Sequence, residues 1–147
     1  GGELYHHPNC RFVADFVGYM NYFDGRISSR ADRSADLYIG GTRRIKAQIP
    51  ATCPARADVI VAVRPEAIRP AVDAASVDGE AYNSVTARLI GEEFLGIITN
   101  LRFRDEEGRE LLVIRSGQDN RIRLRVGEPY LLVWAIDETI VMPAEAA

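Results

Sequence analysis

Val59-Ile60-Val61-Ala62-Val63 runs straight into Arg64-Pro65-Glu66-Ala67-Ile68. Five apolar residues without a break, most of them β-branched, are too few for a helix. They have the composition of a strand buried on both faces. Proline cannot donate to a ladder, so Pro65 ends that strand and also biases Arg64 toward extended backbone. A strand buried on both faces needs a β domain built around it. The residues before it are expected to build toward a barrel and the residues after it to close one.

The rest of the chain supplies matching material. From Met20 onward the pattern is β: Asn21 to Ile27 around Tyr22 and Phe23, then Leu37 to Ile39 ending at Gly40-Gly41. Arg30 to Asp36 reads as a polar turn between them. Ile45, Ala47 and Ile49 alternate with Arg44, Lys46 and Gln48, the signature of a half-buried strand. Pro50 to Ala57 and Pro70 to Glu80 read as connections. Ser84 to Ile90 and Ile97 to Phe103 alternate, and Gly91 and Gly96 bracket a bend or bulge in a long strand. Asp105-Glu106-Glu107-Gly108 is a hairpin loop leading into Glu110 to Ile114. Ile122, Leu124 and Val126 alternate with Arg121, Arg123 and Arg125. Gly127-Glu128-Pro129 and Asp137-Glu138 then turn the chain into Tyr130 to Ala135 and Thr139 to Met142. Short strands between Gly, Pro and Asp turns predict a mainly-β fold, with a five-stranded OB-type barrel over Ser84 to Met142. No repeat of solenoid period is visible.

Only the start departs from this pattern. Asn9 is a good N-cap, Phe12, Val13, Phe16 and Val17 form one helical stripe, and Gly18 is a natural stop. A short helix of this kind is not stable alone, so the stripe is expected to pack on another surface. The expected division is a helical segment over 1–19 and a β domain over 20–147.

The 147 residues carry a net charge of −3, which does not favour nucleic acid or an anionic membrane as partner. Among the lysines and arginines only Lys46 is a lysine. Cys10 and Cys53, without tight spacing, make neither a metal motif nor a disulfide framework, and they suit a reducing compartment. No apolar run is long enough to span a bilayer, and no signal-peptide pattern opens the chain. Gly1-Gly2 reads as a remnant or a cut inside a longer protein.

Candidate chemistry is sparse. His6, His7 and Cys10 are zinc-ligand types, but a structural site needs four ligands and Pro8 interrupts the helix that would align them. Glu92-Glu93 and Asp105-Glu106-Glu107 have no nucleophile or histidine at matching positions, so solvated faces are the simpler reading. Arg121, Arg123 and Arg125 on one side of a strand form a positive ridge able to hold an anion or nucleic-acid phosphates. The plainer reading makes them the polar face of a half-buried strand, with Glu110 or Glu128 as cross-strand partners. No Gly-x-x-x-x-Gly-Lys-Ser/Thr is present, so nothing here cradles ATP phosphates.

A family resemblance runs through the same residues. Glu3-Leu4-Tyr5, Pro8, Asn9, Arg11-Phe12-Val13-Ala14 and Phe16-Val17-Gly18 resemble the closing segment of the ATPase domain in bacterial ABC importer ATP-binding subunits. Val63-Arg64-Pro65-Glu66 resembles the Val-Arg-Pro-Glu of the C-terminal extension in that family. Phe94-Leu95-Gly96 resembles its Tyr-Leu-Gly strand and bend, and Val126-Gly127-Glu128 with Leu131 and Trp134 resembles its closing motif. The resemblance implies a transport-associated OB (TOBE/MOP-like) regulatory and dimerising domain of a polyamine-, iron- or sugar-type importer. It places the domain in the cytoplasm, peripheral to the membrane and without inserting into it. It implies a homodimer, permease subunits as partners of the intact protein, and a small ligand or regulatory protein as a further partner. It leaves ATP and Mg to an ATPase domain outside this sequence, with no cofactor and no catalytic residue here. Arg64, Pro65 and Glu66 become a structural motif, and Phe12, Val13, Phe16 and Val17 an interface. An oligonucleotide-binding OB module on the arginine ridge is the rival reading.

Overall fold

The computed structural model describes residues 19–40, 43–71, 77–116 and 123–144. The apolar run is strand β4 (Asp58–Val63). Val61, Ala62 and Val63 are fully buried, so both of its faces are covered as its composition requires. It lies inside a five-stranded antiparallel sheet, between β1 (Asn21–Ala31) and β10 (Ile140–Pro143), with β2 (Ser34–Ile39) and β3 (Arg43–Gln48) beyond β1. Its inner face looks onto Phe23, Ile27, Leu37, Ile39 and Ile45, all at 2% exposure or less. Its outer face joins a second cluster of Met20, Ile60, Ala62, Ile140 and Met142, flanked by Tyr22.

A second five-stranded antiparallel sheet has the order β5-β9-β6-β7-β8: β5 (Arg69–Ala71), β6 (Tyr82–Phe94), β7 (Ile98–Asp105), β8 (Glu110–Ser116) and β9 (Pro129–Ala135). Leu89, Leu101, Phe103, Val113, Leu132 and Trp134 fill its core. The chain thus divides into two compact units, 1–64 with 135–147 and 65–134. The fold class is mainly β and OB-type, as expected.

The two sheets share one topology. In each, a three-stranded meander (β1-β2-β3, β6-β7-β8) is followed by a strand that returns beside the first (β4, β9). A short fifth strand then flanks the returning one, and the chain exchanges these strands. β5 follows β4 but pairs with β9; β10 follows β9 but pairs with β4. The registers match, with Arg69 opposite Val133 and Ile140 opposite Ala62. Each returning strand leads through a single 3-10 turn, Pro65–Ala67 or Ile136–Glu138, into its exchanged strand.

Three expectations need correction. Thr139–Met142 does not complete a barrel with Ser84–Ala135, because Ile140–Pro143 pairs with β4 in the other sheet. The start of the Pro70–Glu80 connection is a strand, since β5 has lost only the donor at Pro70 and pairs on one side alone. The supposed polar turn Arg30–Asp36 is mostly ladder. The turn is just Asp32-Arg33, with Asp32 at φ 58°, and a bulge at Ser28 keeps Arg30 opposite Ala35. Polarity there marks an exposed face, not a break in the strand. The helix expected near Asn9–Val17, with Phe12, Val13, Phe16 and Val17, lies outside the described residues, as do His6, His7 and Cys10.

Candidate functional site

Arg64 is the first residue past β4, and Pro65 prevents the ladder from continuing. Its guanidinium donates to Glu138 Oε2, on the 3-10 turn that leads into β10. The arginine side chain is 12% exposed and the glutamate 40%, so the pair is half-sheltered. Thr139 closes the same turn: its hydroxyl donates to the Ala135 carbonyl at 3.2 Å and its N–H to the Ile136 carbonyl at 3.1 Å. Chemically this is a clamp, with one guanidinium tying the end of a strand to a distant turn. Pro65 is buried and Glu66 exposed.

The arginine-rich stretch is arranged differently from a strand. Arg121 lies outside the described residues, and residues 123–126 belong to no strand. Arg123 and Arg125 are exposed. The Arg125 carbonyl accepts from Glu128 N–H at 3.2 Å, with Gly127 at φ 95°, and the Arg125 N–H donates to the Tyr130 hydroxyl at 2.6 Å. Glu110 stands 3.7 Å from both Arg102 and Arg104 on neighbouring β7, which lies directly beside it in the ladder. Alternation around residue 124 suggested a strand because Ile122, Leu124 and Val126 are apolar. Val126 is nevertheless 60% exposed at a glycine turn.

Among the described residues no group of three or more His, Cys, Asp or Glu side chains could hold a metal ion. The Asp105 carboxylate accepts from the N–H groups of Glu107 (3.0 Å) and Arg109 (2.8 Å), so it caps its own hairpin loop.

Sequence reasoning placed a bend at Gly91–Gly96, and the structure resolves it into two devices. A bulge sits at Ile90, between the Leu89 and Gly91 pairs. A tight hairpin then joins β6 to β7, closed by Leu95 N–H to Ile98 carbonyl at 2.9 Å with Gly96 at φ 82°. Its tip displays Phe94 (73% exposed), Leu95, Ile97 (85%) and Ile98. The available signal was Gly96 between two apolar pairs, which marks a turn whose apolar residues have no core beneath them.

The TOBE domain family matches residues 61–142, from inside β4 to inside β10. The spermidine/putrescine import ATP-binding protein PotA of Rubrobacter xylanophilus is 30% identical over 142 residues, covering 95% of this chain and 36% of that protein. The Fe(3+) ions import ATP-binding protein FbpC 2 of Rhizobium meliloti is 33% identical over 127 residues, covering 82% and 31%. The putrescine transport ATP-binding protein PotG of Escherichia coli is 27% identical over 146 residues, covering 95% and 37%. The chain thus spans about a third of the length of these curated relatives. Among solved structures, the cytoplasmic molybdate-binding protein ModG superposes with a TM-score of 0.72 at 16% identity, over 84% of this chain and 96% of that one. That likeness concerns the fold. With more than half of its length matched, this chain belongs to the TOBE domain family.

Proposed function

We propose that this chain is the C-terminal regulatory and dimerising domain of the ATP-binding subunit of a bacterial ABC importer, for a polyamine, iron or a similar solute. The observation that carries this is the combination of the TOBE match from β4 to β10 with alignment of nearly the whole chain to import ATP-binding proteins. The chain itself neither binds nor hydrolyses ATP, since it carries no phosphate-cradling glycine loop with its lysine. The intact subunit binds ATP and Mg through its ATPase domain, and works with permease subunits at the cytoplasmic face of the membrane. The apolar hairpin tip at Phe94–Ile98 supports a dimerising role, because monomers rarely expose such patches without a partner.

The test is to express the complete gene with its neighbouring permease genes in proteoliposomes and to measure ATP-dependent uptake of spermidine, putrescine and Fe(3+). Uptake of one of them, with no ATP turnover by this chain alone, is the expected result. A gene encoding no nucleotide-binding domain upstream of residue 1 overturns the assignment. The exposed Arg123 and Arg125 favour an oligonucleotide-binding module as the second reading. It requires salt-dependent binding to single strands that weakens when these arginines are neutralised. A flat titration at low salt eliminates it.

A further inference from the structure

The two sheets have one topology but differ on the outside. Ile140 pairs with Ala62 and Met142 with Ile60 in the first; Arg69 pairs with Val133 and Ala71 with Leu131 in the second. Ile140 therefore corresponds to Arg69, and Met142 to Ala71. In the unit of 65–134 this outer row is open: Arg69 is exposed, and its guanidinium carbon lies 5.1 Å from the centre of the Tyr82 ring. In the unit of 1–64 and 135–147 the same positions are apolar and closed. Met20, Ile60, Ala62, Ile140 and Met142 form a cluster at 8% exposure or less, with Tyr22 packed against it.

A side chain on the outside of a sheet keeps its tip in water unless a second layer lies over it, so burial to this depth requires a cover. The cluster takes in no other buried or half-buried apolar side chain of the described residues. Chain length names the candidate. Met20 belongs to the cluster, and Val17, the last residue of the stripe Phe12, Val13, Phe16 and Val17, stands three residues before it. Three Cα–Cα steps reach at most about 11 Å, so the stripe is held beside this face by its own chain. Dimensions agree as well. β10, β4 and β1 together span about 10 Å, the diameter of a helix with its side chains. The cluster runs two residues along each strand, about 7 Å, and the rise of a helix from Phe12 to Val17 is about 7.5 Å.

We propose that residues 9–17 dock on this face of their own chain as one amphipathic helix, with the apolar stripe laid on the outer cluster. On the helical wheel Arg11 and Asp15 fall opposite the stripe and stay in water. Gly18 ends the helix, and Tyr19, 61% exposed, returns the chain to β1. The second unit shows the same face without a cover. Ahead of β6 it has only Val77-Asp78-Gly79-Glu80-Ala81, with no stripe to offer, and a solvent-facing arginine fills the position of Ile140. The docked helix fixes the direction in which the chain ahead of residue 9 leaves the sheet. On the importer reading it is the joint that carries movement of the ATPase domain into the β domain; the docking itself does not rest on that reading.

The test is methyl NMR on the whole chain, residues 1–147, with isoleucine and methionine methyl groups labelled. NOEs are expected from Ile60, Ile140 and Met142 to the rings of Phe12 and Phe16, within one chain. Trypsin cleavage after Arg11 gives an independent readout, since a docked helix must open before it is cut. Ile140→Arg installs the second unit's residue on the face and is expected to speed that cleavage about tenfold or more, as the open form becomes the common one. Trp134 fluorescence is expected to stay native in that variant, and Arg69→Ile to leave the cleavage rate unchanged. Where Ile140→Arg unfolds the first sheet, the NOEs of the unaltered chain decide alone. NOEs from the cluster to residues of 65–134 in place of the stripe overturn the proposal. So do NOEs seen only between labelled and unlabelled chains, which place the stripe of a second copy on the face. Cleavage after Arg11 as fast as in a free peptide of residues 1–19 overturns it too. None of these readouts involves transport, so failure here leaves the importer assignment standing.

Discussion

At the scale of single residues, position in the sheet decides what each polar group does. Asp36 on β2 accepts from Arg44 on β3 at 2.9 Å and from Ser29 on β1 at 3.3 Å. The Arg44 hydrogen bond, chiefly, holds its carboxyl below the usual carboxylate range against a partial desolvation that opposes it. A carboxyl whose pKa is depressed on folding contributes stability above its unfolded pKa and loses it as pH falls through the folded one. Asp36→Asn is therefore expected to lower Tm at pH 7, with the deficit vanishing as pH drops below about 4. A deficit that persists unchanged at pH 3 in thermal melts rejects this role. Gly25 gives a steric prediction. A Cβ there would lie 3.3 Å from both the Tyr38 carbonyl oxygen and Val61 Cγ2, on the packed inner face. Backbone cannot yield as a side-chain end can, so Gly25→Ala is expected to cost about 1 kcal/mol in urea unfolding. At Gly91 the near atoms belong to the exposed Arg102 guanidinium, which can swing aside, so Gly91→Ala should cost less. Arg64→Ala removes the clamp to Glu138 and is expected to cost about 1 kcal/mol, below the usual range of a charged hydrogen bond because the glutamate is 40% exposed and screened by water. An unchanged unfolding midpoint removes Arg64 from any structural role.

Among the elements, the β6–β7 hairpin and the edge strands divide the work of exposure. β3 ends its sheet and carries Arg43, Arg44 and Lys46, charges that discourage edge-to-edge pairing. The hairpin tip does the opposite and shows Phe94 and Ile97 to solvent. Because both side chains have little to lose on folding, Phe94→Ser with Ile97→Ser is expected to shift stability by no more than about 0.5 kcal/mol. The same variant should weaken self-association, measured by sedimentation at tens of micromolar. A dimer of unchanged affinity would take the tip out of the dimer contact. The contribution of Phe12, Val13, Phe16 and Val17 is tested separately, by comparing the chain with and without residues 1–18.

For the whole molecule, exchange of β5 and β10 makes each unit depend on chain that has already served the other. Trp134 is the only tryptophan, is buried in β9, and reports on the 65–134 unit. Ending the chain after Glu138 removes β10 and opens the β4 edge. Hydrogen exchange is expected to accelerate in β4 and β1, while β6–β8 keep their protection and Trp134 fluorescence stays native. Full protection of β4 in the shortened chain would show that β10 adds nothing to that sheet.

The sequence alone determined the strand at Val59–Val63, its end at Pro65, the Asp105–Gly108 loop and the mainly-β class, because these rest on local patterns of burial and turn chemistry. It also carried the family motifs. The exchange of strands was hidden, since β5 and β10 are three and four residues long and no local pattern says which edge a short strand will join. Nor does the sequence display the internal correspondence. Asn21-Tyr22-Phe23-Asp24-Gly25-Arg26-Ile27 and Asn83-Ser84-Val85-Thr86-Ala87-Arg88-Leu89 share an asparagine, a small residue before arginine and an apolar close, and both asparagines are buried. Such sparse identities gain meaning only when two sheets prove to have one topology. The outer row of Arg26, Tyr38 and Asp58 was invisible for a similar reason: the three are far apart in the chain, and only strand register sets them side by side.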